Sequence, residues 1–84
     1  MPVISRFYGI VIKMYLKQRE HNPPHIHAIY GEYIGVFSLH TGEMFEGDLP
    51  NKEQALVKKF IVRNSEKLQR MWETQVFEVL PPIE

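Results

Sequence analysis

The chain has 84 residues, ten basic and ten acidic side chains, and a hydrophobic content of 44%. It is sized for a single domain over residues 1–84, near the lower end of what folds on its own core. The charge balance excludes a global field for nucleic acid or an anionic membrane, and the apolar content excludes an intrinsically disordered chain. The absence of cysteine excludes disulfides, thiolate metal sites and cysteine nucleophiles, so any metal must use nitrogen and oxygen ligands.

From Val3 to Leu16 the chain is rich in Val, Ile, Phe and Tyr, which predicts one long bent strand or two short ones with Gly9 as bulge or turn. The apolar stretch around Ile10 to Leu16 is too short to span a membrane and is broken by Lys13. Met1-Pro2-Val3-Ile4 lacks a basic region followed by an apolar signal core, so a cytoplasmic location is expected. The polar run Lys17-Gln18-Arg19-Glu20 ends this first segment.

His21-Asn22-Pro23-Pro24-His25-Ile26-His27 follows, carrying three of the four histidines. The prolines make a stiff extended lead-in. Ile26 to Tyr30 then reads as a strand and Tyr33 to Leu39 as its antiparallel return, joined by a type II′ turn at Gly31-Glu32. This turn predicts a register with Tyr30 opposite Tyr33, Ala28 opposite Gly35, His27 opposite Val36 and His25 opposite Ser38. One face carries His25, His27, Ile29, Ile34 and Val36; the other carries Ile26, Tyr30, Tyr33, Phe37 and Leu39. Both are partly apolar, so the pattern leaves open which one a helix covers.

His40-Thr41-Gly42 reads as a turn and Glu43 to Gly47 as a last short strand. Glu46-Gly47-Asp48 suits a turn with a helix cap, and Asn51 with Gln54 has capping-box spacing. Leu56, Val57, Phe60, Ile61, Leu68, Met71 and Trp72 recur at helical intervals, predicting one long amphipathic helix to about Gln75. Asn64-Ser65 is the one place where it could split. Lys58, Lys59, Arg63, Lys67 and Arg70 lie on this helix, but Glu53, Glu66 and Glu73 are interleaved, so the stripe reads as a solvated face. Trp72, Phe60 and Phe77 read as core, and Val76 to Leu80 as a short strand before Pro81-Pro82. The expected fold class is α+β: an antiparallel β-meander of three to five strands packed against one long C-terminal α-helix.

Side chains at i and i+2 of a strand share a face, so His25 and His27 point the same way. Such a pair can bind a metal, with His21, His25 and His27 as candidate ligands for zinc, nickel or manganese and zinc–nitrogen distances of about 2.0 to 2.1 Å. His40, Glu46 and Asp48 could join them only through the topology of the sheet. His25 and His27 are also the candidate catalytic residues of a histidine-based or metal-dependent hydrolase acting on RNA or a phosphoester, since imidazoles take and return protons near neutrality. In the third reading they are architectural: His21 and His25 pin the loop by hydrogen bonds and His27 sits half-buried.

The opening Pro2-Val3-Ile4-Ser5-Arg6-Phe7-Tyr8-Gly9-Ile10, the histidine run, Tyr30-Gly31-Glu32-Tyr33 and Glu46-Gly47-Asp48-Leu49-Pro50 together resemble the small bacterial family called domain of unknown function 4160. The resemblance covers nearly the whole chain. It implies a compact domain often encoded beside a second small domain, in an arrangement similar to a toxin-antitoxin pair, and it implies no particular activity. The family's histidines fall on His21, His25 and His27, with matches at Tyr30, Glu32 and Tyr33; the Lys17 to Glu20 segment is longer than the family's usual approach. The favoured function is a partner-binding component of a toxin-antitoxin-like operon, with Tyr30, Tyr33 and Trp72 as candidate partner-binding residues. The partner would be the neighbouring small protein or a second copy in a homodimer; RNA has no support from net charge. A structural domain without ligand is the remaining alternative.

Overall fold

The structure, a computed structural model, describes residues 3–14 and 23–83. Its elements in chain order are β1 (Val3–Phe7), β2 (Ile10–Lys13), β3 (His25–Tyr30), β4 (Tyr33–Ser38), β5 (Met44–Gly47), α1 (Asn51–Arg63) and α2 (Ser65–Thr74). The five strands form one antiparallel sheet in sequence order. The fold is thus α+β.

Two-residue turns build the β1–β2 and β3–β4 hairpins. Tyr8 and Gly9 both take positive φ (50° and 80°) between the paired residues Phe7 and Ile10, so residues 3–14 of the first segment hold two short strands, while Tyr15 and Leu16 lie outside the described residues. Gly31 takes φ 60°, as the first position of a II′ turn requires, and every pair in the expected β3–β4 register is present.

The two faces of the sheet have different fates. Ile10, Ile12, Ile26, Ala28, Phe37 and Leu39 join Val57, Phe60 and Ile61 of α1 and Leu68, Met71 and Trp72 of α2 in one buried core. Rings of Phe7 and Phe60 meet across the two layers at 5.1 Å. The helices therefore cover the Ile26 face and leave the histidine face outside the core.

The single long helix is corrected to two. Asn64 takes φ −116°, ψ 23°, far from the helical ψ of about −42°. Its backbone N–H and its Nδ2 both donate to the Phe60 carbonyl, at 3.1 and 3.0 Å. Asparagine competes with helical geometry through this kind of side-chain bond to the backbone. The capping box is also absent: Pro50 is the N-cap, without a side-chain cap bond, and Gln54 Nε2 donates instead to the Leu49 carbonyl at 2.6 Å. Asp48 does not cap α1 either; its Oδ1 accepts from Ile34 N–H at 3.1 Å and its N–H donates to Ile34 O at 3.0 Å, extending the β4–β5 ladder. The tail from Val76 forms no strand, and one bond, Leu80 N–H to Ile4 O at 2.7 Å, ties it to β1 while Leu80 and Ile83 bury.

Gly47 lies where β5 leaves the sheet with φ 115°, and a Cβ there would fall on the Ile34 carbonyl oxygen and within 2.7 Å of Gly35 Cα. Backbone atoms cannot swing aside as a side chain can. Gly47→Ala should therefore lower stability by about 3 kcal/mol or more. Urea denaturation followed by fluorescence of Trp72, the one tryptophan, measures this directly; a loss under about 1 kcal/mol would contradict the packing.

Candidate functional site

The site begins with the alternation of β3. Ile26 and Ala28 are buried in the core, so His25 and His27 must take the opposite face, where both are half-buried. Strand pairing then aligns Lys13, His27, Val36 and Glu46 in one row across β2, β3, β4 and β5. A second row carries Val11, Ile29 and Ile34.

A bulge completes the surroundings. Val36 pairs with Glu46 but Phe37 pairs with Met44, so β5 carries one extra residue, Phe45. A bulge of this kind re-aims a side chain, and the Phe45 ring stands edge-on to His25 at 6.2 Å. His25 also meets His27 at 5.3 Å and Trp72 at 5.0 Å between ring centroids. Trp72 is 7% exposed and lies in the core, so His25 bridges the core and the open face.

The proline lead-in has a defined job here. His25 Nδ1 lies 2.8 Å from the Pro23 carbonyl oxygen, which can only accept. Nδ1 therefore carries a proton and, in the neutral ring, Nε2 holds the lone pair. The Pro24 carbonyl accepts from Leu39 N–H at 2.9 Å, fixing the lead-in to the end of β4.

His27 is held below its ordinary pKa of 6.5, first by burial, then by the neighbouring His25, with Glu46 acting in the opposite direction. Burial disfavours the imidazolium, so His27 is the neutral member of the row.

His25 and His27 thus come together, while the third expected metal ligand, His21, lies outside the described residues. Among the described residues no group of three histidines or carboxylates is placed to hold a metal ion. His40 is exposed at the β4–β5 turn, beside Leu39, Ser65 and Arg70. Tyr30 and Tyr33 stack at 6.4 Å beside the Gly31 turn, with Tyr33 exposed and Tyr30 packed against the core. They sit on the opposite face from the histidines, and Trp72 faces inward. Phe45 was the residue that sequence reasoning missed, because simple alternation would place it and Glu46 on opposite faces. No signal short of the bulge could have found it.

Residues 9–73 of the chain match the domain of unknown function DUF4160. The chain belongs to the DUF4160 family. The match runs from the first turn through β3 and nearly all of α2, so the part of the histidine face on β2 to β5 lies within the matched residues. No curated protein and no solved structure matches the chain. Among the described residues no helix is long and apolar enough to cross a membrane.

The depressed His27 pKa has a measurable consequence. The folded chain takes up this proton less readily than the unfolded chain, so stability is full above about pH 6.5, the unfolded value, and declines as pH falls below it towards the folded pKa. His27→Gln should flatten this decline, as read from urea midpoints between neutral and mildly acid pH. A parent and a variant with parallel pH profiles would remove His27 as the cause.

Proposed function

We propose that this DUF4160 domain is a protein-binding component of a toxin-antitoxin-like pair, and that its contact surface is the open sheet face around His25 and His27. The observation that carries the reading is the apolar surface beside the histidines: Ile34 and Phe45 are 49% and 50% exposed on a face that also carries Val11 and Ile29. A sheet face with exposed Ile34 and Phe45 on either side of the row that holds Lys13 and Glu46 offers the mix of apolar and charged contacts of a recognition surface. The partner is the neighbouring small protein, with a second copy of this chain as the alternative. Co-expression with the neighbouring gene product should give a stable complex on size exclusion, and Ile34→Lys together with Phe45→Ser should weaken it by at least about tenfold, as expected when central apolar contacts are lost. A complex unaffected by both substitutions, or a monomer with no complex at all, would overturn the assignment.

A histidine-based hydrolase is the second reading, favoured by two specific features: Pro23 sets the His25 tautomer, and burial keeps His27 neutral. His27 is then held towards the free-base form that general-base attack on a phosphoester requires, with His25 beside it. Zinc, nickel or manganese bound through His25, His27 and His21 would supply Lewis-acid chemistry in the same reading. His25→Ala and His27→Ala separate the possibilities. If the pair is catalytic, RNA cleavage is lost while the melting temperature holds; if it is architectural, stability falls by about 1 to 3 kcal/mol and the parent shows no cleavage.

A further inference from the structure

The ten positive and ten negative side chains of this chain are not evenly distributed, and α1 departs furthest from the balance. It carries Lys52, Lys58, Lys59 and Arg63, all exposed, and its one acidic residue, Glu53, is 8% exposed and turned into the core side with Val57, Phe60 and Ile61. The interleaving of charge read from the sequence therefore holds on α2, where Glu66 and Glu73 are exposed beside Lys67 and Arg70, and fails on α1.

At 3.6 residues per turn, Asn51, Lys52, Ala55, Lys59, Val62 and Arg63 fall within about 120° of arc on the side of α1 away from the core. All six are exposed, Val62 at 64%. Lys58 lies on the flank and is engaged by Glu43 of the β4–β5 turn, so the lysines and arginine on the outer stripe are the ones with no acidic residue of α1 beside them. Val62, next to the C-terminal end of the stripe, adds one exposed apolar side chain beside Arg63.

We infer that the outer face of α1 is a docking surface for duplex DNA, with the helix lying in the major groove. Charge complementarity supports this occupant: three cations spaced along about 16 Å of one helix face meet a phosphate backbone, and exposed Glu66, which shares a surface recess with Arg63, belongs to α2 beyond the Asn64 break. The residue types support it too. Lysine and arginine pair with guanine, asparagine with adenine, and small apolar side chains such as those of Ala55 and Val62 pack on the thymine methyl. A helix about 10 to 12 Å across fits a major groove about 12 Å wide, and A-form RNA closes that groove to it. This surface lies on the helical layer, away from the histidine face, so it stands independently of the function proposed above.

The test is fluorescence anisotropy of a labelled mixed-sequence DNA duplex titrated with the full chain at several salt concentrations. Binding should weaken with salt with a log–log slope of about −2.7, three phosphates at about −0.9 each. Lys52→Gln, Lys59→Gln and Arg63→Gln combined should cost at least tenfold in affinity and bring the slope near zero. Val62→Glu alone should weaken binding in the parent background. Because these positions are exposed, the melting temperature of each variant should match the parent, which separates lost binding from lost folding. No binding up to about 100 micromolar, the weak end of non-specific association, would overturn the inference. So would undiminished binding by the triple variant, or tighter binding to double-stranded RNA or polyglutamate than to the DNA.

Discussion

The pairing of β3 with β4 is the constraint on which the rest of the structure depends. Its two-residue turn allows one register, and a slip of a single residue would exchange the faces of every side chain on one strand relative to the other. Were β3 to slip, Ile26 and Ala28 would meet water and the histidines would be pressed into the core. The cost of burying two imidazoles while exposing two core residues is what holds the histidines on the outside. Their position is thus a consequence of core packing as much as of any requirement at the surface.

From this hairpin, both outer layers follow by simple adjacency. Pairing of Lys13 with His27 and of Glu46 with Val36 places opposite charges at the two ends of a row that contains a neutral imidazole. The helices, by contrast, reach the sheet through side chains on its Ile26 face and through the contact of Trp72 with His25. The result is a two-layer domain with chemically distinct exteriors: imidazole and apolar groups on the sheet, exposed cations on α1.

Much of this architecture was legible from residue patterns, and the failures have physical reasons. The β3–β4 register was readable because Gly31 dictates the turn and alternation does the remainder. The covered face was not readable, since Ile29, Ile34 and Val36 on one side are as apolar as Ile26, Phe37 and Leu39 on the other. Asn64 carried the break in the helix, but whether its side chain bonds back to Phe60 depends on how the two segments pack on the sheet. In the site itself, alternation was enough to bring His25 and His27 together. It could not reveal Phe45, which depends on one inserted residue, nor the Pro23 carbonyl as partner of the His25 ring.

The bond from Leu80 to Ile4 bears on how copies of this domain associate. It occupies part of the outer edge of β1, one of the sheet's two edge strands, and Leu80 and Ile83 are buried. A sheet with two free margins can add neighbours without end, whereas one with a single free margin exhausts its capacity after one pairing. By occupying the Ile4 carbonyl, the C-terminal tail reduces what the β1 edge offers for pairing with another strand.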